Sequence, residues 1–285
     1  MAAVKWVTLR SQWLGQQLRD LREANGLILK DAAEYLQRDP GTVSRFETGG
    51  YPIRRPDLLA LLDLYGVADP RRREEFVRLS QEVWKKGWWD GYDGEVTGAL
   101  VDFAWLEARS LEIRGFDSMI LPGLFQTPRY ARVVISTLER DANEAQIDRW
   151  IEFRMGRQKI LEGENPPRFM VILDEAVLRR EVGGRECQVE QLRHLVDQAA
   201  RPNVEIRVLP LSVGVHACVT GAFRIFTLGE GFPGVGYAET PKGAIYVESP
   251  DSESFVRMYE EALKLTLSPE ESVEFIAAIA RELSR

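Results

Sequence analysis

Apolar residues in the first third of the chain recur at helical spacing. Leu14, Leu18 and Leu21 mark one face, and Gly26 is placed to end it. A short helix is predicted over 30–36. Asp39-Pro40 then supplies an N-cap and a proline for the first helical position, opening a helix that stops near Thr48-Gly49-Gly50. Arg55-Pro56 opens the next, with Leu58, Leu59, Leu61, Leu62 and Tyr65 inside and Gly66 at its end. Asp69-Pro70 repeats the cap-plus-proline device and starts a longer helix to about residue 86. Five helices in this space make a small bundle with no room for a sheet.

Residues 87–98, GWWDGYDGEVTG, change character, and their aromatic residues Trp88, Trp89 and Tyr92 are expected to dock onto a neighbouring domain. The remainder mixes periods. Residues 99–112 look helical, and 113–126 look extended or irregular around Pro122-Gly123. Helices are predicted from Thr127-Pro128 to about 140, over 143–161 and over 188–200. The runs RFMVIL (168–173), VEIRVL (204–209), 223–228 and 243–248 read as strands. Helices over about 252–267 and 269–283 close the chain. Strands lie mostly next to each other late in the sequence. That arrangement predicts an α+β domain with a mostly antiparallel sheet rather than a doubly wound one.

Composition sharpens this picture. The 285 residues suit two domains and an ordinary core, at 45% apolar and 28% charged. No apolar run approaches the roughly 18 residues of a membrane span, and MAAVKWVTLR has no signal-peptide core. With two cysteines, Cys187 and Cys218, a reduced cytoplasmic protein is expected. The net charge of −7 argues against nucleic acid only when taken whole. Residues 1–86 carry 15 Lys and Arg against 12 Asp and Glu, or +3, and residues 87–285 carry 22 against 32, or −10. A mildly basic domain (1–86), an aromatic and glycine-rich linker (87–98) and an acidic domain (99–285) are expected.

The strongest motif is LKDAAEYLQRDPGTVSRFE (29–47). Two short helices crossing at a tight angle need a small residue on the first, and Ala33 supplies it. The second must be pinned by apolar residues one turn apart, and Val43 and Phe46 fit, with Leu36 between them. Gly41, Thr42, Ser44 and Arg45 are then left facing outward, as on a helix that enters the major groove.

This segment, with LLALLDLYGV (58–67) behind it, resembles the phage-repressor or XRE class of helix-turn-helix regulators over about residues 11–66. The resemblance implies that Pro40, Gly41, Ser44 and Arg45 face bases. It also implies that Thr42, Arg54 and Arg55 contact phosphate. Lys30 is placed to reach phosphate, and Arg38 completes the DNA-binding set. Two positions depart from the pattern. Gln37 stands where the turn usually has Gly, which demands a left-handed non-glycine turn, and Leu29 stands where Gln often opens the first helix. Pro40 and Gly41 read bases poorly, so direct readout rests on Arg45. A +3 domain binds DNA weakly as one copy, because affinity scales with the phosphates neutralised. Hence a homodimer on double-stranded operator half-sites roughly 34 Å apart is expected.

Residues 99–285 show no catalytic set, and no enzyme, cofactor or metal is expected. Cys187, His194, His216 and Cys218 lack zinc-finger spacing. Gly229-x-Gly231-x-x-Gly234 matches the dinucleotide string, but no helix follows to hold a pyrophosphate, so a glycine-rich hairpin loop is expected. The acidic residues Glu260, Glu261, Glu270, Glu271 and Glu274 read as a solvated helix face. The run LPGLFQTPRYA (121–131), with the preceding GWW and the later VTGAFRIF, resembles a C-terminal domain that recurs behind this helix-turn-helix type in regulators of filamentous actinobacteria. That resemblance implies a transcription regulator, most simply a repressor, whose acidic domain takes a small effector or a partner protein from an adjacent gene. An antitoxin-like interaction module with autoregulatory DNA binding is the alternative. Arg114, Gln126, Tyr130 and His216 are the candidate polar groups of an effector or partner site.

Overall fold

The computed structural model describes residues 7–84, 87–92, 95–229, 232–241 and 243–285. The chain divides into two compact units, residues 1–103 and 104–285.

The first unit holds α1 (Leu9–Ala24), α2 (Leu29–Leu36), α3 (Pro40–Glu47), α4 (Arg55–Leu64) and α5 (Pro70–Trp84). Their boundaries follow local chemistry. The side chains of Thr8 and Asp39 accept the N–H groups of Ser11 and Thr42, satisfying donors that a helix start leaves unpaired. Pro40, Pro56 and Pro70 occupy first turns, where a missing N–H costs nothing. Gly26 and Gly66 follow α1 and α4 with φ of 68° and 67°. Residues 85–86, the expected end of the last helix, lie outside the described residues.

The 87–98 stretch contains a single-turn helix, Trp88–Tyr92, with Trp89 buried and Trp88 edge-on to it at 5.8 Å. It is followed by α6 (Gly98–Arg109), across which the division between units falls. Within the first unit, the Leu9 N–H donates to the Asp102 carboxylate at 3.0 Å, tying the start of α1 to α6.

The second unit carries α7 (Pro128–Leu138), α8 (Glu144–Gln158), α9 (Glu175–Arg179), α10 (Arg185–Ala199), α11 (Glu253–Leu263) and α12 (Pro269–Leu283). Its six strands are β1 (Ser110–Asp117), β2 (Arg168–Asp174), β3 (Val204–Leu209), β4 (Phe223–Leu228), β5 (Val235–Thr240) and β6 (Gly243–Glu248). They form one sheet in the order β3-β2-β1-β4-β5-β6. The pairings from β4 to β6, and of β1 with β4, are antiparallel, so the mostly antiparallel α+β expectation holds. The β1–β2 and β2–β3 pairings are parallel, with α7 and α8 in one crossover and α9 and α10 in the other.

Three elements differ from the sequence expectations. The helix predicted over 99–112 ends at Arg109, and residues 110–117 become β1, the strand between β2 and β4. Gly115 weakens a strand pattern in sequence, yet a Cβ there would lie 2.7 Å from the Arg224 guanidinium. The glycine is what lets Arg224 cross β1 to reach Asp117, at 3.0 Å. Strand β5 was not anticipated. The 229–234 segment joins it to β4 as a hairpin, with Gly231 outside the described residues. The helix expected over 252–267 stops at Leu263.

One sheet face packs Phe116, Ile172, Phe223 and Ile225 against Tyr259 and Ala262 of α11. The outer edge of β3 is covered. Val208 N–H donates to the buried Ser272 hydroxyl and its carbonyl accepts from Leu267 N–H, both at 2.9 Å.

Candidate nucleic-acid interface

Val43 and Phe46 put one side of α3 into the core, at 0% and 4% exposure. Burial of two such side chains stabilises the seat of the helix by about 1.5–3 kcal/mol each. Ala32 and Ala33 are the buried residues of α2. α1 also approaches α3 closely. A Cβ on Gly15 would lie 2.4 Å from the Glu47 carbonyl oxygen and 2.6 Å from that of Phe46. Glu47, at the end of α3, is itself buried and hydrogen-bonded to Arg22 of α1.

The turn between α2 and α3 is made by Gln37, with φ 55° and ψ 43°. It is the one non-glycine residue with positive φ among the described residues. The left-handed conformation demanded by the departure from glycine is therefore present, and it strains the backbone.

The opposite side of α3 carries the candidate base-facing residues. Pro40, Gly41 and Arg45 are exposed, and Thr42 and Ser44 are half-buried. Gly41 also serves the cap, because a Cβ there would lie 2.9 Å from Asp39 Oδ1. Arg45 is held by a relay. Its Nη2 donates to Thr42 Oγ1 at 3.0 Å, and the Thr42 hydroxyl donates in turn to the Asp39 carboxylate. These Thr42 bonds keep the exposed Asp39 carboxyl below its ordinary pKa.

Beside this relay lies a concavity of about 880 Å³, lined by Arg38, Arg45, Arg54 and Tyr51 among others. Arg54 caps α4 and Arg55 begins it; both are exposed and neither makes an ion pair among the described residues. Arg38 is partly neutralised by Asp57 at 3.3 Å, and Lys30 by Glu34 at 3.6 Å. The fold thus gathers Arg38, Thr42, Arg45 and Arg54, while Lys30 sits on α2 outside that concavity. Sequence reasoning passed over Tyr51, which is exposed and lies 6.1 Å from the Phe46 ring. An aromatic residue in the loop after a recognition helix was the available signal.

Of the four polar candidates in the second unit, Gln126 and Tyr130 meet at the backbone of Leu121, while Arg114 and His216 have other partners. Gln126 is buried, donating to the Leu121 carbonyl and accepting from Arg154. Tyr130 is fully buried and its hydroxyl accepts from Leu121 N–H. Burial pushes its pKa up to about 12. Arg114 pairs with Glu112 and with Glu260, each at 3.2 Å, and Glu260 is thereby more than a solvated charge. His216 accepts from Cys218 N–H, packs 5.3 Å from Phe116 and lies 3.7 Å from Asp174. A concavity of about 650 Å³ in this unit is lined instead by Arg185, Arg193, His194 and Asp197 of α10 and by the chain end, 283–285. Cys187 and Cys218 are buried free thiols. Among the described residues no three His, Cys, Asp or Glu side chains come together as metal ligands. Among the same residues no helix is long and apolar enough to cross a membrane.

A family model described as a helix-turn-helix domain matches residues 13–76, from within α1 to within α5. A second, described as a domain of unknown function (DUF5753), matches residues 100–278, more than half of the chain. The chain belongs to the DUF5753 family. In this DUF5753 protein the α2–turn–α3 geometry lies wholly inside the helix-turn-helix match, and the mixed sheet wholly inside the other. No curated protein and no solved structure matches the chain.

Proposed function

We propose that this DUF5753 protein is a sequence-specific, DNA-binding transcription regulator of the XRE type, acting in the cytoplasm as a repressor. The observation that carries the reading is the two-sided α3. One side is pinned by Val43, Phe46 and Glu47, and the other presents Arg45 in a fixed pose beside Arg54. A seated helix with an oriented, exposed arginine suits bidentate contact to a guanine edge, while Arg38, Arg54 and Arg55 supply phosphate contacts. The net +3 of residues 1–86 is small. Two copies on a two-fold operator raise the number of phosphates neutralised, so the active species is a homodimer. The acidic second unit is read as the sensor of an effector or partner rather than as an enzyme. Its ligand must favour one DNA-binding state over the other.

The reading is tested by gel shift with the chain's own promoter. A discrete complex that survives excess unrelated DNA supports it. Retention equal to that of unrelated DNA contradicts it.

A further inference from the structure

Arg154 of α8 is unlike several other little-exposed arginines of the chain. Arg22, Arg157 and Arg224 each meet a carboxylate, on Glu47, Glu107 and Asp117. Arg154 is half-buried, and among the described residues its one hydrogen bond runs from Nη1 to the neutral Oε1 of Gln126, at 2.6 Å. Nε and Nη2 are left without an acceptor there.

The pose is built from below. Gln126 Nε2 donates to the Leu121 carbonyl at 2.7 Å, so its Oε1 has to face Arg154. Gln158, one turn on from Arg154, donates to the carbonyls of Gly123 and Gln126 at 2.9 and 2.7 Å, fastening α8 to that loop. Arg157 lies three residues along the helix, and Glu107 takes it at two points, both 2.8 Å. Glu107 thus meets the Arg157 guanidinium at two points, while Arg154 makes no ion pair among the described residues. Glu239 of β5 attracts Arg154 from beyond ion-pair distance. Burial, and then the Arg157 charge, push the Arg154 pKa down to about 10. A half-buried guanidinium whose Nε and Nη2 meet no protein acceptor leaves those donors to water or to an anion. The planar donor fork of arginine matches a carboxylate or phosphate.

We propose that Arg154, oriented by Gln126, is the centre of an oxyanion-binding site in the second unit, which takes the carboxylate or phosphate group of a small effector. This deepens the effector reading above and is independent of DNA contact.

The test is calorimetric titration of the full chain, without DNA, with inorganic phosphate and separately with succinate at constant ionic strength. Saturable binding of one of them is expected, weakened at least tenfold in Arg154→Gln. Which anion binds distinguishes phosphate from carboxylate. Thermal unfolding in anion-free buffer gives a second readout. There Arg154→Gln should be as stable as wild type or more so, because a guanidinium that makes no ion pair among the described residues and is repelled by Arg157 has gone. The proposal is overturned if wild type binds neither anion, if the variant binds equally, or if the variant is destabilised in anion-free buffer. A negative result leaves the DNA reading standing, since no DNA is present.

Discussion

Arg22 of α1 and Glu47 at the end of α3 form a buried two-point ion pair, with Nε 2.6 Å from Oε1 and Nη2 2.9 Å from Oε2. Arg22 Nη1 also donates to the Leu27 carbonyl at 2.7 Å, in the turn before α2. One side chain thus ties α1 to α3 and to the turn that leads into α2. Removing either partner strands a buried charge. Arg22→Met is expected to cost about 3–5 kcal/mol in denaturant unfolding. The double change Arg22→Met with Glu47→Met should cost less than the sum of the two singles. Additive losses would show that the pair is not coupled.

Gly15 sets the α1–α3 distance. Gly15→Ala places a methyl group against two carbonyl oxygens of α3, and neither helix can yield alone. A loss of about 1–3 kcal/mol is expected. DNA affinity should fall with it, because the recognition helix is displaced. Wild-type stability would mean that the helices separate freely.

Gln37 holds a left-handed turn that glycine adopts without strain. Gln37→Gly relieves roughly 1 kcal/mol of strain, offset in part by the greater freedom of the unfolded chain. A net stabilisation of about 0.5 kcal/mol is expected, read as a higher urea midpoint at unchanged slope. A lower midpoint would contradict it.

His194, on the wall of the second unit's concavity, has its pKa held below the ordinary 6.5, first by burial. The folded chain therefore keeps the neutral ring where the unfolded chain begins to take up a proton. The contribution is fully present above about pH 6.5 and is lost as pH falls towards the lower folded value. The melting temperature of wild type should fall relative to His194→Gln between pH 7.5 and 5.5. Parallel curves would remove the effect.

Much of the first unit is legible in the sequence because its rules are local. Asp39-Pro40, Arg55-Pro56 and Asp69-Pro70 state helix starts within two residues, and Val43 with Phe46 states a buried face within one turn. Gln37 is legible for the same reason. The Arg22–Glu47 pair is not, since its partners are 25 residues apart. A hint existed, because Glu47 continues the Val43–Phe46 stripe. Strand β1 is legible only in part, since 110–112 read as helix and 113–117 as extended or irregular, and Gly115 finds its reason in an arginine 109 positions later in the chain, Arg224. The parallel pairing of β1, β2 and β3 depends on crossovers that no short window contains. Gln126 was singled out for its polarity. What the fold adds is Arg154, brought to it from α8.

The central claim is that α3 reads DNA through Arg45. Fluorescence anisotropy with an operator fragment from the chain's own promoter and with unrelated DNA, for wild type and Arg45→Ala, tests it most directly. Arg45→Ala is expected to lose about 1–3 kcal/mol of operator affinity while changing unrelated-DNA binding far less. Equal operator affinity and equal selectivity in the two proteins would contradict it.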